Sequence, residues 1–375
     1  MEGVRKGEVS PRAAAKTLGL SRSRIYQLLG DYLVAYGPRT HGGWVPGVSG
    51  GDHTSPWPVE VAALLRKRVG SDPPASYSFA ASEALRVCGY RLDRAQVRRW
   101  AMANGLAHGK VPRRPQAPVR RWQRSQIGEL WQLDATPHRW FPPSNTQLPM
   151  LNMLDDCSRV FVGSTLYERE SILAYLNFLP TAFLDYGLPL ELYVDYHSFF
   201  FTQVPNALTT LGQALRFYGV SFRYAPTPQA KGKVEREHHF WQQRLPAYFA
   251  SESVAQLTEA NTHITALRLH RNQHETHREL QMTPSKAWED AKVQHRSVLR
   301  SVPRCPWWPY VWSAQTTIRT GPDGRVPIGA HTVRLEVPPG SKVILCHHPA
   351  GHHSVLAAPP KPDTKPVLLF SSRPK

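Results

Sequence analysis

The chain has 375 residues, 41% of them hydrophobic and eleven of them tryptophan, enough for several buried cores and two to four domains. Its 46 Lys and Arg against 28 Asp and Glu give a formal charge of +18 and a pI near 10.0, which makes nucleic acid the first partner to consider and an anionic membrane surface the second. Four scattered cysteines without a CxxC pair exclude a disulfide framework and a Cys-based zinc site, and no apolar run of about 18 residues or apolar signal core occurs, so a soluble cytoplasmic protein without membrane contact is expected.

The charge is front-loaded. Residues 1–125 carry 21 Lys and Arg against 8 Asp and Glu, +13 of the +18. Within residues 1–36, AAAKTLGLSRSRIYQLLGDYL predicts a short helix ending at Gly19 and a second one capped by Ser21 and running through Leu29, with Ile25, Leu28 and Leu29 on one face. That outline is a helix-turn-helix, with Arg22, Ser23 and Arg24 opening the recognition helix. Glycine and proline break residues 37–56 into a linker.

Residues 57–107 predict three more helices and a second helical DNA-binding domain. Its last pair again resembles a helix-turn-helix, with Asp93 as N-cap and Arg94, Arg98 and Arg99 exposed. A basic, proline-punctuated linker follows over residues 108–127, and its Arg113, Arg114, Arg120 and Arg121 are suited to tracking phosphates.

From residue 128 to 250 the pattern becomes three strands, helix, strand, helix, strand, helix. That order predicts an α/β core with a mixed sheet. Residues 251–300 read as a helical extension and 301–358 as a small β-barrel-like module with a hairpin around GPDG. The proline-rich residues 359–375 read as a disordered tail.

Three acids stand out by position. Asp134 interrupts LWQLDA, Asp195 ends LELYVD, and Glu235 lies early in the helix after the last core strand, with 60 and 39 residues between them. Acids at strand ends of an α/β sheet face the edge where sites are built, and three of them can hold divalent cations through oxygen.

WQLDATPHRWF, YVDYHSFF and TPQAKGKVERE together resemble the retroviral-integrase-like DDE transposases of bacterial insertion sequences, the ISNCY-type group most closely. The resemblance spans roughly residues 75–290, and RNQHETHRELQMTPSKAWEDA is similar to the segment that follows the family's core. It implies an RNase H-like core in which Asp134, Asp195 and Glu235 bind two Mg²⁺ ions, with Mn²⁺ as a substitute. It further implies DNA cleavage and strand transfer at the ends of an insertion sequence. Double-stranded DNA, as element ends and as target, and a homo-oligomer assembled on it are the implied partners, with a helper ATPase left open. A silent, domesticated relative acting as a DNA-binding regulator, or a nuclease that cuts without joining, remain the rival readings.

The chain departs from the family in two ways. It has no N-terminal His/Cys zinc cluster, and Tyr-His-Ser follows the second aspartate, so His197 becomes a candidate beside the site. The acids of LDDCSR, Asp155 and Asp156, read as turn-forming.

Helical phase separates the two glutamates of KGKVERE. At about 100° per residue, Ala230, Val234, Trp241, Leu245 and Phe249 share one arc, the expected core stripe. Glu235 then borders Lys231, His238, His239 and Gln242. Glu237 falls on the opposite border with Lys233 and Arg244, where a surface ion pair is expected. Lys231 and Lys233, at the helix start, are expected to steer DNA phosphates, and Phe240 and Trp241 to pack.

Overall fold

The computed structural model describes residues 1–36, 56–107, 122–204, 207–225 and 232–372, in two compact units split after Pro58. The linker expected over residues 37–56 falls almost wholly outside the described residues, as does most of 108–127. Among the described residues no helix is long and apolar enough to cross a membrane.

The first unit holds α1 (Glu2–Arg5), α2 (Pro11–Leu18) and α3 (Arg22–Tyr36). Ser10 Oγ accepts the Ala13 N–H at 3.1 Å to start α2, and Gly19, in the left-handed region at φ 64°, ends it. Ser21 Oγ then accepts the Arg24 N–H at 3.2 Å and starts α3, which continues past Leu29 to Tyr36. Ala14, Ala15 and Ile25 pack with Met1 and Val4 as its small core.

The second unit opens with α4 (Val59–Val69), α5 (Tyr77–Cys88) and α6 (Arg94–Ala103), the last started by an Asp93–Gln96 capping box. The mixed sheet follows: β1 (Leu130–His138), β2 (Leu148–Asp155), β3 (Phe161–Leu166), α7 (Ile172–Tyr186), β4 (Glu191–Val194), α8 (Thr210–Phe217) and β5 (Ser221–Tyr224). Its order is β3-β2-β1-β4-β5, with β1 to β3 antiparallel and β4 and β5 parallel to β1. Helices α9 (Gly232–Gln242), α10 (Leu245–Glu252), α11 (Leu257–His274) and α12 (Pro284–Val293) complete the layers, followed by the single turn α13 (Trp308–Val311).

Both faces of the sheet are covered. Trp131, Leu133, Leu151 and Met153 meet Tyr175, Phe178 and Phe183 of α7 on one side. Met150 and Leu154 meet Trp241, Leu245 and Ile264 on the other. A central strand buried on both faces carries apolar residues in succession, which is why β2 reads LPMLNML. The expected stripe of Val234, Trp241, Leu245 and Phe249 is buried, but as two helices. Pro246, whose missing N–H costs nothing in the first turn of a helix, sits at the start of α10.

Residues 59–107 pack into the core of the second unit. Arg68 of α4, 1% exposed, donates to Glu83 of α5 at 2.8 Å and to Ser251 Oγ of α10 at 2.8 Å, and also pairs with Glu252. Phe79 of α5 packs in the same cluster as Trp241.

Beyond α13 lie β6 (Ala314–Arg319), β7 (Arg325–Ile328), β8 (His331–Arg334), β9 (Lys342–His347), β10 (His353–Leu356) and β11 (Leu368–Ser371). They form a sheet β11-β10-β9-β6 and a separate pair β7-β8. Two expectations are corrected here. GPDG turns the chain, with the Gly321 N–H on the Arg325 carbonyl at 2.8 Å, yet β6 and β7 do not pair. Val326 and Ile328 are instead buried against Val343 and Val355 of the other sheet, and the hairpin forms one strand later, around Gly329. Nor is all of 359–375 a disordered tail: its LLF run forms β11 on β10, and Trp307 Nε1 donates to the Thr364 carbonyl at 2.8 Å.

Candidate active site

The parallel register of β1 and β4 pairs Leu130 with Glu191, Trp131 with Leu192 and Gln132 with Tyr193. Two residues further on come Asp134, still within β1, and Asp195, the residue that follows the end of β4 at Val194. Side chains alternate along a strand. Trp131, Leu133, Leu192 and Val194 fill the α7 face, while Leu130 and Tyr193 share a small cluster on the other. Asp134 and Asp195, in phase with Leu130 and Tyr193, therefore share the α9 face of the sheet. Both charges reach the phenol of Tyr175, which burial first, then Glu170 and these two aspartates, push far above its usual range.

Helix α9 lies across this place. Gln242 Nε2 donates to Thr136 Oγ1 of β1 at 2.9 Å, and His238 Nδ1 stands 3.8 Å from Asp134 Oδ2. Glu235 is exposed one turn before His238, and His239 is exposed four residues after Glu235 on the same side of the helix. The structure thus brings Asp134 and Asp195 together and leaves Glu235 at the rim. Among the described residues, no three His, Cys, Asp or Glu side chains stand close enough to hold a metal ion. The donors are still of the right kind, since three carboxylates offer the hard oxygens that Mg²⁺ and Mn²⁺ take, and Asp134 is 19% exposed rather than sealed.

The loop after Asp195 closes on itself. Asp195 Oδ1 accepts the main-chain N–H of His197 at 3.0 Å, while the His197 ring packs on Phe199 at 4.6 Å. His197 therefore meets Asp195 through its backbone.

Two expectations for α9 change. Glu237 is not a surface group: it is 5% exposed, and Arg271 Nη2 of α11 donates to its Oε2 at 2.9 Å, with His277 Nε2 at 3.7 Å from Oε1. Burial on its own would raise this carboxyl, but Arg271 and His277 outweigh it and hold it below the usual range. The flank opposite the core stripe is covered by the end of α11 and the segment after it, which helical phase within α9 cannot reveal. Lys233, expected to hold DNA, has another partner. Its Nζ lies 2.5 Å from Asp156 Oδ1 and 4.3 Å from the Trp122 ring centroid. Burial lowers its pKa, against the opposing pull of Asp156.

LDDCSR builds that turn. Asp155 accepts the Gly128 N–H at 2.9 Å and both the N–H and hydroxyl of Ser158 at 2.7 Å, and burial pushes its pKa up to about 6. Asp156 also accepts from Gln132 Nε2 at 2.6 Å and from the Arg124 N–H at 2.8 Å.

Two side chains stand next to Asp134. One is His238, which helical phase already sets beside Glu235. The other, which the sequence reading misses, is Asn152, across from Asp134 on β2, fully buried with neither amide atom hydrogen-bonded. A polar residue breaking the apolar run LPMLNML is the same signal that singles out Asp134. Of the expected DNA contacts, Arg22, Ser23, Arg94, Arg98 and Arg99 are exposed, and Arg24 is half-buried, its guanidinium 3.3 Å from Gln27 Oε1. Arg113, Arg114, Arg120, Arg121 and Lys231 lie outside the described residues.

No family model matches the chain. It is 34% identical over 142 residues to the transposase for insertion sequence IS1202 of Streptococcus pneumoniae, covering 36% of this chain and 30% of that protein. It is 27% identical over 261 residues to the putative transposase y4bF of Sinorhizobium fredii (strain NBRC 101917 / NGR234), covering 68% of this chain and 56% of that protein. The chain thus spans less than two thirds of the length of either relative. Among solved structures it aligns with the simian T-cell lymphotropic virus intasome in complex with PP2A regulatory subunit B56 gamma, at 16% identity and a TM-score of 0.40 over 80% of this chain and 98% of that one. It also aligns with the HTLV-2 integrase catalytic core domain in complex with magnesium, at 17% identity and a TM-score of 0.33 over 42% of this chain and 99% of that one. Part of the sequence is thus similar to an insertion-sequence transposase, and a longer part to a putative transposase.

Proposed function

We propose that the chain is a DDE polynucleotidyl transferase that binds the ends of its own insertion sequence and joins them to target DNA. The observation that carries this is the placement of Asp134 on β1 and of Asp195 just past the end of the neighbouring β4, with the helix that bears Glu235 reaching Asp134 through His238. The sheet order β3-β2-β1-β4-β5, with helices on both faces, supports an RNase H-like core.

Asp134, Asp195 and Glu235 would hold two divalent cations, Mg²⁺ or Mn²⁺, which when bound supply an activated oxygen nucleophile and stabilise the departing 3′-oxygen of DNA. The chain's own part is positioning. The sheet fixes the two aspartates, Gln242 on Thr136 fixes the pitch of α9 over β1, and the Glu237–Arg271 and Lys233–Asp156 pairs fix its rotation. Glu235, at the first turn of α9, would complete the set. Recognition of DNA falls to the start of α3, where Arg22, Ser23 and Arg24 would enter the major groove, and to Arg94, Arg98 and Arg99 of α6. Two DNA ends handled together imply a homo-oligomer on DNA, working in the bacterial cytoplasm.

The test is strand transfer. With DNA ends taken from the sequence flanking the gene, Asp134→Ala, Asp195→Ala and Glu235→Ala should each abolish Mg²⁺-dependent joining to plasmid and spare end binding. Near wild-type joining by any one of them sinks the assignment. Nicked products without joined ones favour a nuclease, and binding with no product at all favours a regulator.

A further inference from the structure

Immediately after Asp195 the chain exposes aromatic rings that pack on one another at the surface. Tyr196, the residue after Asp195, is 57% exposed and Phe201 36%. Tyr196 stacks on Tyr224 at the end of β5, with centroids 5.1 Å apart and planes 15° from parallel. Phe201 stands edge-on to both, at 5.2 Å and 5.6 Å. The shelf is preset rather than floppy, because Tyr224 is anchored in the sheet and its hydroxyl donates to the Phe200 carbonyl at 2.8 Å. Next to it opens a cleft of about 580 Å³ whose walls are mixed, with Phe201 on one side and Ser198, Thr202, Thr210 and Gln213 offering hydroxyls and an amide.

We propose that Tyr196, Tyr224 and Phe201 form a stacking platform for unpaired DNA bases, with the adjoining cleft taking the edge of a base turned out of the duplex. The proposal rests on the DNA-joining reading of the same site and specifies the form of DNA it accepts. A planar π-face is what a base recognises whatever its sequence, and a base cannot reach such a face while stacked in a duplex. Tyr196 adjoins Asp195 in the chain, so a base stacked on it keeps its own phosphodiester within a nucleotide step of the two aspartates. The +18 charge of the chain favours a polyanionic occupant over an apolar protein surface.

The experiment uses the full chain and a short mixed-sequence single strand carrying 2-aminopurine, whose fluorescence falls on stacking. The wild type is expected to quench it. Tyr196→Leu should lose the quench and bind the single strand about 10-fold more weakly, Tyr196→Phe should retain both, and a paired duplex should bind all three alike. Because Tyr196 is mostly exposed, its replacement leaves the core packing intact. Full quenching by Tyr196→Leu overturns the platform. So does a changed oligomeric state with unchanged quenching, which would assign the shelf to a second copy of the chain. The assay reads no joined product, so failure of the transposase reading, scored by wild-type strand transfer, is seen separately.

Discussion

Glu235 and Glu237 stand two residues apart on α9, and what distinguishes them is what covers each. Glu237 is sealed against Arg271, so Glu237→Ala leaves a buried guanidinium uncompensated and is expected to cost about 3–5 kcal/mol of stability, read by urea unfolding. A loss below about 1 kcal/mol would show the pair to be solvated. The sign of its pH dependence follows from a folded pKa lowered below the value of 4.5 for the free group. The stabilisation is present above about pH 4.5 and is lost as pH falls through the lower folded value. The melting difference between wild type and Glu237→Gln should accordingly be full at neutral pH and vanish in acid. Asn152 gives the opposite expectation. With both amide atoms buried and unbonded, Asn152→Leu should raise stability by about 1–3 kcal/mol, and an unchanged melting temperature would mean the amide finds a partner in solution. Asp134 and Asp195 are legible in sequence because a charge in an apolar strand has few explanations. The Lys233–Asp156 pair, 77 residues apart, is not, because nothing local to either residue names the other.

At the scale of elements, periodicity carries the reading where one face is buried and fails where burial is set from outside. The order of strands and helices in the core follows from alternating and continuous apolar runs. The end of α9 is hidden from periodicity, since one apolar stripe runs through α9 and α10 across the turn at Gln243 and Arg244. GPDG carries a true turn signal, yet the pairing of the strands it joins is decided by Val326 and Ile328 reaching the other sheet. The tail misled for a related reason, because its proline-rich composition averages over the three residues that pair with β10. A chain ending at residue 362 loses both β11 and the acceptor of the Trp307 indole. It should lose about 1–3 kcal/mol for the buried donor alone, and the bared edge of β10 should promote association visible by light scattering.

At the scale of the whole molecule, the excess positive charge is the most legible property and the least specific. DNA held by the start of α3 should release counterions. Arg22→Ala or Arg24→Ala should then weaken end binding and reduce the slope of log affinity against log salt by about 1 if the residue holds a phosphate. An unchanged slope with relaxed sequence preference would mark a base contact instead. Chelation should stop joining and leave this binding intact, since Arg22 and Arg24 would hold phosphate through their own charge.

The buried Arg68 bears on how the protein can be taken apart. Its guanidinium is satisfied by Glu83 from one side and by Ser251 and Glu252 of α10 from the other, across more than 180 residues of chain. A fragment cut after residue 107 would strip away the second set of partners and open Phe79 and its neighbours to water. The cleavable seam is at residue 58, where the small three-helix unit ends, and the three helices after it must travel with the core for any dissection of DNA binding from chemistry to be interpretable.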